Sequence, residues 1–406
     1  MYIKRHIEAV IEQSKKTYPV ILVTGPRQVG KSTMLQNLYP NINYETLDDP
    51  FLLQTIKSDP VGFLKLKGFP FIIDEIQKSP ELFSSIKYLV DTNKNNGMYF
   101  LSGSQKFPLM SGVSESLSGR VSIINMLGFS NREIYDDAFD KPFIPTLEYL
   151  TTRNTKIPAD IKTIWERIHK GSMPKLYEDT SMDWGKYYSD YLNTYLERDI
   201  HKLENIGDTL SFLQFITALA SRTGELLNMQ SIAKEVGVSA PTIKRWISIL
   251  QKSNIIYLLH PFSLNANKRI VKTPKVYFMD TGLVCYLCKW LTPENLINGA
   301  QSGNIYETFV ISEIIKSYYN HGIEPNIYYY RDTDGQEVDL LFFQDGTLFP
   351  IEIKKTSSPN LKDIKHFKTL QSSFPSIKIG EGGIICSYEK LLPLNENNKI
   401  IPLTLI

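Results

Sequence analysis

The chain contains the stretch Gly25-Pro-Arg-Gln-Val-Gly-Lys-Ser32, directly after the apolar run Pro19-Val-Ile-Leu-Val-Thr24. It fits the pattern G-x-x-x-x-G-K-[ST] at every fixed position, between a predicted buried strand and a helix predicted to start at Ser32. Glycines let such a loop turn its backbone N–H groups toward phosphate oxygens, and the following helix adds its positive N-terminus. The stretch therefore predicts a nucleotide-binding site.

The side chains of this loop have distinct expected roles at a bound triphosphate. Lys31 is expected to reach the β- and γ-phosphates, and the Ser32 hydroxyl is expected to ligate Mg²⁺. ATP and Mg²⁺ are therefore the expected cofactors. The expected nucleotide contacts are the loop residues and the one that follows them: Gly25, Pro26, Arg27, Gln28, Val29, Gly30, Lys31, Ser32 and Thr33.

A second motif, Phe71-Ile-Ile-Asp-Glu75, is an apolar strand that ends in two acids. Asp74 is expected to hold the hydration shell of Mg²⁺, and Glu75 is placed to orient or deprotonate the attacking water. The alternative is a strand that ends in ordinary solvated acids, and the companion loop weakens it. The two motifs in this order predict hydrolysis as well as binding.

Composition and size place the chain among soluble proteins of several domains. It has 406 residues, 42% hydrophobic and 22% charged, which predicts two to four modules. Its three cysteines are too few for a disulfide framework, so a cytoplasmic location is expected. No run approaches the roughly 18 apolar residues of a membrane span, so no membrane partner is expected.

The middle of the chain is locally basic. Residues 221–275 contain nine Lys or Arg and two Glu. Residues 231–250 have helix-turn-helix spacing, with Ile243 and Leu250 facing inward. The second helix then presents Thr242, Lys244 and Arg245 to a DNA major groove. A following basic segment is a candidate wing that contacts phosphates: Lys268, Arg269, Lys272 and Lys275. A winged helix used for protein packing is the alternative, and the charge favours DNA as partner.

The C-terminal part contains two alternating apolar runs, residues 337–343 and 348–354, around Asp345-Gly346. Asp-Gly between such runs predicts a two-residue hairpin loop. That register sets Asp339 opposite Glu352, and alternation puts both acids and Lys354 on one face. A divalent metal would relieve the repulsion between the acids. A solvated face of cross-strand salt bridges is the alternative.

This pattern resembles the PD-(D/E)xK nuclease core. The resemblance implies that Asp339 and Glu352 bind metal, that Lys354 is the catalytic lysine, and that Glu307 on the preceding helix is an accessory metal ligand. Val338 stands where the motif has proline, a variable position in that superfamily. The order from Gly303 onward is predicted as helix, three strands, helix and strand, as in that core.

Other motifs extend the resemblance to nearly the whole chain: Leu101-Ser-Gly-Ser-Gln105, Ser116-Leu-Ser-Gly-Arg120, Gly171-Ser-Met-Pro174, Thr194-Tyr-Leu-Glu-Arg-Asp199 and the segment 272–283. With the two nucleotide motifs, they resemble AAA+-like ATPases of a bacterial and archaeal branch that carries a nuclease-like C-terminal domain of unknown function. The resemblance implies that Ser104 or Gln105 senses the γ-phosphate. It also implies that Arg120 is an arginine finger, within the chain or across a homo-oligomer boundary. A packing role for Arg120 is the alternative, and Arg198 is a weaker finger candidate.

The fold class predicted from these features is α/β, in four parts. Residues 1–135 form an AAA+-like P-loop ATPase domain with a parallel sheet, and residues 136–215 a helical linker or lid. Residues 216–280 form a winged-helix-like domain, and residues 281–406 a restriction-endonuclease-like α/β domain. The function predicted is a Mg²⁺-dependent, DNA-engaging ATPase with a nuclease-like domain. The alternatives are a nucleotide-driven switch that only binds a partner through that domain, and a protein remodeller.

Overall fold

The structure is a computed structural model that describes most of the chain, in these ranges: 2–103, 116–138, 140–195, 209–264 and 273–406. Six residues singled out above lie outside the described residues: Ser104, Gln105, Arg198, Lys268, Arg269 and Lys272.

The helices of the described ranges are α1 (Glu8–Ser14), α2 (Lys31–Leu38), α3 (Pro50–Ser58), α4 (Pro60–Lys67), α5 (Glu81–Asn93), α6 (Asn131–Ile134), α7 (Leu147–Thr152), α8 (Ile161–Lys170), α9 (Lys175–Glu178), α10 (Trp184–Tyr195), α11 (Thr209–Ala220), α12 (Met229–Val236), α13 (Ala240–Lys252), α14 (Thr281–Leu287), α15 (Pro293–Asn298), α16 (Ser302–Tyr319) and α17 (Phe367–Ser373). The strands are β1 (Val20–Thr24), β2 (Asn43–Thr46), β3 (Phe71–Asp74), β4 (Tyr99–Gly103), β5 (Val121–Asn125), β6 (Ile256–Leu259), β7 (Lys275–Phe278), β8 (Ile327–Arg331), β9 (Glu337–Gln344), β10 (Thr347–Lys354), β11 (Lys378–Ile379), β12 (Gly382–Cys386), β13 (Leu392–Pro393) and β14 (Asn398–Pro402).

The first sheet is parallel throughout the described residues, with the order β2-β3-β4-β1-β5. Alternate side chains of β1 enter two cores: Val20 and Leu22 pack on the side that includes α3 to α5, and Ile21 and Val23 on the side of α1 and α2. The predicted parallel sheet covered on both faces is confirmed. Because the strands run in one direction, their carboxyl ends meet at one edge, where the phosphate loop begins.

The middle of the chain folds as three helices, α11 to α13, followed by the antiparallel pair β6 and β7. Leu226 forms a further antiparallel bridge to Lys275. Gly237 ends α12 in the left-handed region at φ 77°, and Ser239 caps α13 by accepting the N–H of Thr242. Ile243 and Leu250 are fully buried, as the helix-turn-helix spacing predicts.

The C-terminal sheet has the order β13-β14-β12-β10-β9-β8 among the described strands, with β11 on β10. Helix α16 precedes β8, β9 and β10, and α17 precedes β12, so the predicted succession of elements is confirmed. The hairpin register is also right, because Thr347 pairs with Gln344 and Ile351 with Leu340. Asp345 and Gly346 both have positive φ, as the predicted two-residue turn requires.

One continuous hydrophobic core runs from Leu127 to Ile406 and includes the middle helices, α16 and the C-terminal sheet. Residues on both sides of the predicted boundaries at 215 and 280 contribute to this core, and the boundaries stay predictions. In the described part of the chain, no helix combines the length and apolarity that crossing a membrane requires.

Candidate functional sites

The phosphate loop leaves β1 at Gly25 and enters α2 at Lys31. Gly25 has φ 151°, and a Cβ there would lie 1.9 Å from the carbonyl oxygen of Met126. Gly30 has φ 87°, which side chains rarely tolerate. The two glycines are therefore required by the path of the backbone, which passes close to β5 before it turns into α2.

The Lys31 side chain is buried and lies on its own loop. Its Nζ donates to the carbonyl oxygens of Gly25 at 3.1 Å and Pro26 at 2.6 Å. A buried ammonium group needs such acceptors, because loss of hydration is costly. To bind phosphate, Lys31 has to exchange these carbonyls for phosphate oxygens.

Asp74 lies at the end of β3, directly beside the start of α2. Its Oδ2 accepts from the Ser32 hydroxyl at 2.7 Å and from the Tyr44 hydroxyl at 2.9 Å, and its Oδ1 accepts from the Ser102 hydroxyl. A carboxylate beside a hydroxyl is the set of hard oxygen ligands that suits Mg²⁺. Ser32 and Asp74 therefore fit the role of holding Mg²⁺.

Tyr44 and Ser102 are partners of Asp74 that the sequence analysis missed. Tyr44 lies on β2, a polar edge strand that was not predicted, and Ser102 belongs to the polar end of β4. The parallel order of the strands would have pointed to Ser102, because β4 neighbours β3.

Glu75 adopts φ 54°, a left-handed conformation that is costly for a residue with a side chain. Burial and then the charge of Asp74 raise the pKa of Glu75, and Gln77 donates to its carboxylate. A raised pKa makes a carboxylate a stronger base once ionised. Glu75 lines the same pocket as Lys31 and Ser32, and its role as the group that orients or deprotonates water stays a prediction.

A pocket of about 360 Å³ lies beside the phosphate loop. Its lining contains six of the nine predicted nucleotide contacts and two further residues, Glu75 and Thr194: Arg27, Gln28, Gly30, Lys31, Ser32, Thr33, Glu75 and Thr194. Pro26 and Val29 line a separate, smaller cavity on the other side of the loop, beside Met173 and Asp280. Of the predicted contacts, these two line the smaller cavity, and Gly25 lines neither.

Arg120 lies at the amino end of β5, where its carbonyl accepts from Val20. That is the opposite end of the sheet from the phosphate loop. Its guanidinium pairs with Asp91 at 2.6 Å and 3.0 Å, on the surface. A finger role within the same chain does not fit this placement. A role across a subunit boundary stays a prediction.

The C-terminal acids are brought together as the hairpin register predicts. Lys354 Nζ donates to Asp339 Oδ2 at 3.1 Å and to Glu352 Oε2 at 2.9 Å. Asp339 Oδ2 also accepts the N–H of Ile353 at 2.9 Å. Glu307 on α16 instead accepts from Lys275 at 3.3 Å and from Tyr277 at 2.5 Å. We call the four acids and the two lysines paired with them the acidic cluster. Its members are Glu307, Glu337, Asp339, Glu352, Lys275 and Lys354.

Asp339 and Glu352, the two acids that contact Lys354, differ in pKa. Burial opposes ionisation of both, but Lys354 and Lys275 lower the pKa of Asp339. Burial and then the Asp339 charge raise the pKa of Glu352 to about 9. Asp339 is therefore the more acidic of the two carboxyl groups, as expected when two of them are held together and only one lies beside both lysines.

Lys275 contradicts its predicted role in a phosphate-binding wing. The residue is 4% exposed, and its Nζ lies 2.5 Å from Glu337 and 3.3 Å from Glu307. A buried, doubly paired ammonium cannot contact DNA in this arrangement.

The acidic cluster is only partly arranged for a metal ion. Among the described residues, no group of three or more His, Cys, Asp or Glu side chains is placed to hold one. However, Glu352 Oε1 is buried and has no hydrogen-bond partner in the described part of the chain. An orphaned carboxylate oxygen beside Asp339 fits a cation, provided that the lysines move aside.

Comparison with known families divides the chain into three regions. Residues 17–135 match the family described as an AAA domain. Residues 161–294 and 302–406 match two domains of unknown function, DUF8612 and DUF4143. Together with the loop geometry, the first match identifies residues 17–135 as a P-loop ATPase-type domain.

Two curated relatives resemble nearly the whole chain. The uncharacterised proteins Rv2008c of Mycobacterium tuberculosis and Mb2031c of Mycobacterium bovis are each 26% identical over 401 residues, covering 98% of this chain and 83% of the relative.

Among solved structures, a Walker-type ATPase of Pyrococcus abyssi has a TM-score of 0.42 at 16% identity, covering 69% of this chain and 94% of that chain. The Holliday junction branch migration motor RuvB of Thermotoga maritima has a TM-score of 0.25 at 17% identity, covering 62% of this chain and 86% of that chain.

The placement of Arg120 gives a paired test of its role. If Arg120 serves only its ion pair, Arg120→Ala and Asp91→Ala will have the same small effect on ATP turnover, because the exposed pair contributes little and lies at the opposite end of the sheet from the phosphate loop. If it completes a neighbouring subunit's site, only Arg120→Ala will reduce turnover, and the loss in mixtures will follow the fraction of variant subunits. Steady-state turnover at several protein concentrations distinguishes the two.

Proposed function

We propose that this chain is a cytoplasmic, Mg²⁺-dependent ATPase that engages DNA through a winged-helix unit. In this proposal it carries a nuclease-like C-terminal domain, and ATP hydrolysis rearranges the domains on the nucleic acid. The hydrogen bond between Ser32 and Asp74 is the central support. It joins the phosphate loop to the strand that carries the candidate water-activating acid, Glu75.

The residues of the loop can act in a simple order. Lys31 leaves the Gly25 and Pro26 carbonyls and binds phosphate oxygens, while the N–H groups of the loop cradle them. Ser32 and Asp74 would hold Mg²⁺, whose charge would offset that of the phosphates when it is bound. Glu75, with its raised pKa, accepts a proton from the attacking water.

Lys31→Ala is expected to lower ATP turnover by at least about 100-fold, because it removes a preorganised positive charge from the transferring phosphoryl group. Phosphate release under saturating Mg-ATP measures this loss. Glu75→Gln is the companion variant: it should keep nucleotide affinity and lose turnover, since it alters the proton acceptor and not the cradle. Continued turnover in both variants would refute the catalytic assignment.

The proposal of DNA binding rests on the middle of the chain. Helices α11 to α13 followed by β6 and β7 have the order of a winged helix, and the local charge excess lies here. Lys244 and Arg245 are exposed on α13, while the opposite side of that helix is buried. An exposed basic face on the second helix of such a pair suits a DNA groove.

Replacing Lys244 and Arg245 with Ala is expected to weaken duplex binding and to flatten its salt dependence. Each lost phosphate contact should reduce the slope of log affinity against log salt by about 0.9. Fluorescence anisotropy at several salt concentrations measures both quantities. Lys87→Ala, an exposed lysine on α5, is the matched control and should change neither. Equal behaviour of the variant and the control would argue for a packing role.

The nuclease-like proposal rests on the shared placement of Asp339, Glu352 and Lys354 around one buried point. The specific observation that favours the second candidate, a switch that binds a partner without cleavage, is Lys354 itself. Its ammonium lies between the two acids, where a metal ion would otherwise neutralise them.

For a nuclease, metal-dependent nicking of plasmid DNA should be present in the unaltered protein and vanish in Asp339→Ala and Lys354→Ala. Agarose gels with and without Mn²⁺, Mg²⁺ and ATP show the nicked product. Glu389→Ala, an exposed acid in the same region, should cleave normally. Absence of nicking on DNA and RNA, with turnover of ATP intact, would favour the switch.

A further inference from the structure

One wall of the nucleotide pocket comes from outside the ATPase-type domain. Among the described residues that line the pocket, Thr194 alone lies beyond residues 17–135. The other lining residues belong to the phosphate loop, the start of α2 and the turn after β3. Thr194 lies near the end of α10 and opens the motif Thr194-Tyr-Leu-Glu-Arg-Asp199, and this first residue has no role in the function proposed above.

Successive turns of α10 lie along the phosphate loop from its back to its front. Tyr188 donates to Asp280 at 2.7 Å, and Tyr191 lines the small cavity behind the loop. Thr194, three residues further, lines the pocket on the other side of the loop. Residues three apart are neighbours on the surface of a helix. Because Tyr188 and Tyr191 are buried, they fix the part of α10 that brings Thr194 to the pocket.

The chemistry of the lining indicates which part of a nucleotide Thr194 faces. None of the described lining residues has an aliphatic or aromatic side chain, and an adenine ring needs such apolar contacts. Lys31, expected at the β- and γ-phosphates, and Glu75, expected beside the attacking water, line the same pocket. The pocket therefore suits the terminal phosphate of ATP better than its base.

The Thr194 hydroxyl is a donor that can change its acceptor. The side chain is exposed, and its hydroxyl donates within its own helix, to the carbonyl oxygens of Asp190 at 2.8 Å and Tyr191 at 3.2 Å. Threonine divides between two rotamers in helices because of such bonds, so the hydroxyl can turn away at small cost. A bond to a charged phosphate oxygen is stronger than one to a neutral carbonyl.

We propose that Thr194 is a nucleotide-contacting residue that donates a hydrogen bond to the terminal phosphate of ATP. ADP lacks that phosphate and makes no such bond. ATP thus joins the phosphate loop to α10, and ADP does not. This inference rests on the proposed ATPase function. It adds a residue by which the chain beyond the ATPase-type domain distinguishes ATP from ADP.

The test compares the affinities of the full chain for a non-hydrolysable ATP analogue and for ADP, both with Mg²⁺, by isothermal titration calorimetry. Thr194→Val keeps the branched shape and removes the donor. It should weaken binding of the analogue on the order of tenfold and change ADP binding by less than about twofold, since a bond to a charged group is lost only with the analogue. Thr194→Ser keeps a hydroxyl and should bind the analogue as the unaltered protein does.

Thr151→Val is the matched control. Thr151 is also an exposed helical threonine whose hydroxyl donates to carbonyls four and three residues earlier, those of Leu147 at 2.7 Å and Glu148 at 3.3 Å. It lies on α7 and is not part of the pocket lining. Its replacement should change neither affinity.

Amide hydrogen exchange over α10 gives a second readout, which a merely structural threonine would not move. In the unaltered protein and in Thr151→Val, the analogue should slow exchange in α10 more than ADP does, because only the analogue contacts this helix. In Thr194→Val the analogue and ADP should have the same effect. A threonine that only stabilises α10 would change exchange equally in both nucleotide states.

The outcomes separate this inference from the proposed function. If Thr194→Val binds the analogue as tightly as the unaltered protein, or loses affinity for the analogue and ADP by the same factor, the nucleotide site stands and the contact with the terminal phosphate is overturned. Weak binding of the analogue by Thr194→Ser would assign the effect to shape and would also overturn it. If the unaltered protein binds neither the analogue nor ADP, the nucleotide site itself fails, and the contact with it.

Discussion

The buried ion pair between Arg5 and Glu133 holds the N-terminal segment of the nucleotide-binding domain against its phosphate loop and against the segment that follows β5. Arg5 donates to Glu133 at 2.9 Å, to the Val29 carbonyl of the phosphate loop at 2.9 Å, and to the Leu127 carbonyl at 2.7 Å. Both partners are 2% exposed, so breaking the pair would leave a buried charge at a cost of about 3–5 kcal/mol. The phosphate loop is therefore anchored from behind, on the side away from its pocket.

A second buried acid continues this anchoring into the middle of the chain. Asp280 accepts hydrogen bonds from the N–H and hydroxyl of Ser172 and from the Tyr188 hydroxyl. It also accepts from the N–H of Leu283, in the first turn of α14. Tyr188 belongs to α10, the helix whose far end brings Thr194 to the nucleotide pocket. Ser172 and Asp280, one from each of two motifs, thus have a structural explanation: they join α10 to the start of α14, beside a cavity that Pro26 and Val29 of the phosphate loop also line.

Local patterns predicted the parts of the structure that depend on neighbours in sequence. The phosphate loop, the strand that ends in Asp74 and the hairpin register from Asp345-Gly346 each follow from a short stretch of chain. The polar strand β2 escaped prediction because its pairing with β3 supplies the stability that its residues lack. Lys275 was misread for a related reason: a basic residue in a basic segment suggests exposure, and only long-range contacts put acids around it.

The two candidate sites share a physical feature that no local pattern reveals. Lys31 satisfies its charge on carbonyls of its own loop, and Lys275 and Lys354 satisfy theirs on the acids of the cluster. Buried charges must be paired whether or not a ligand is present, so a site built to hold a charged ligand needs internal partners in its absence. Ligand binding then becomes an exchange of partners, and the displaced lysine has to move.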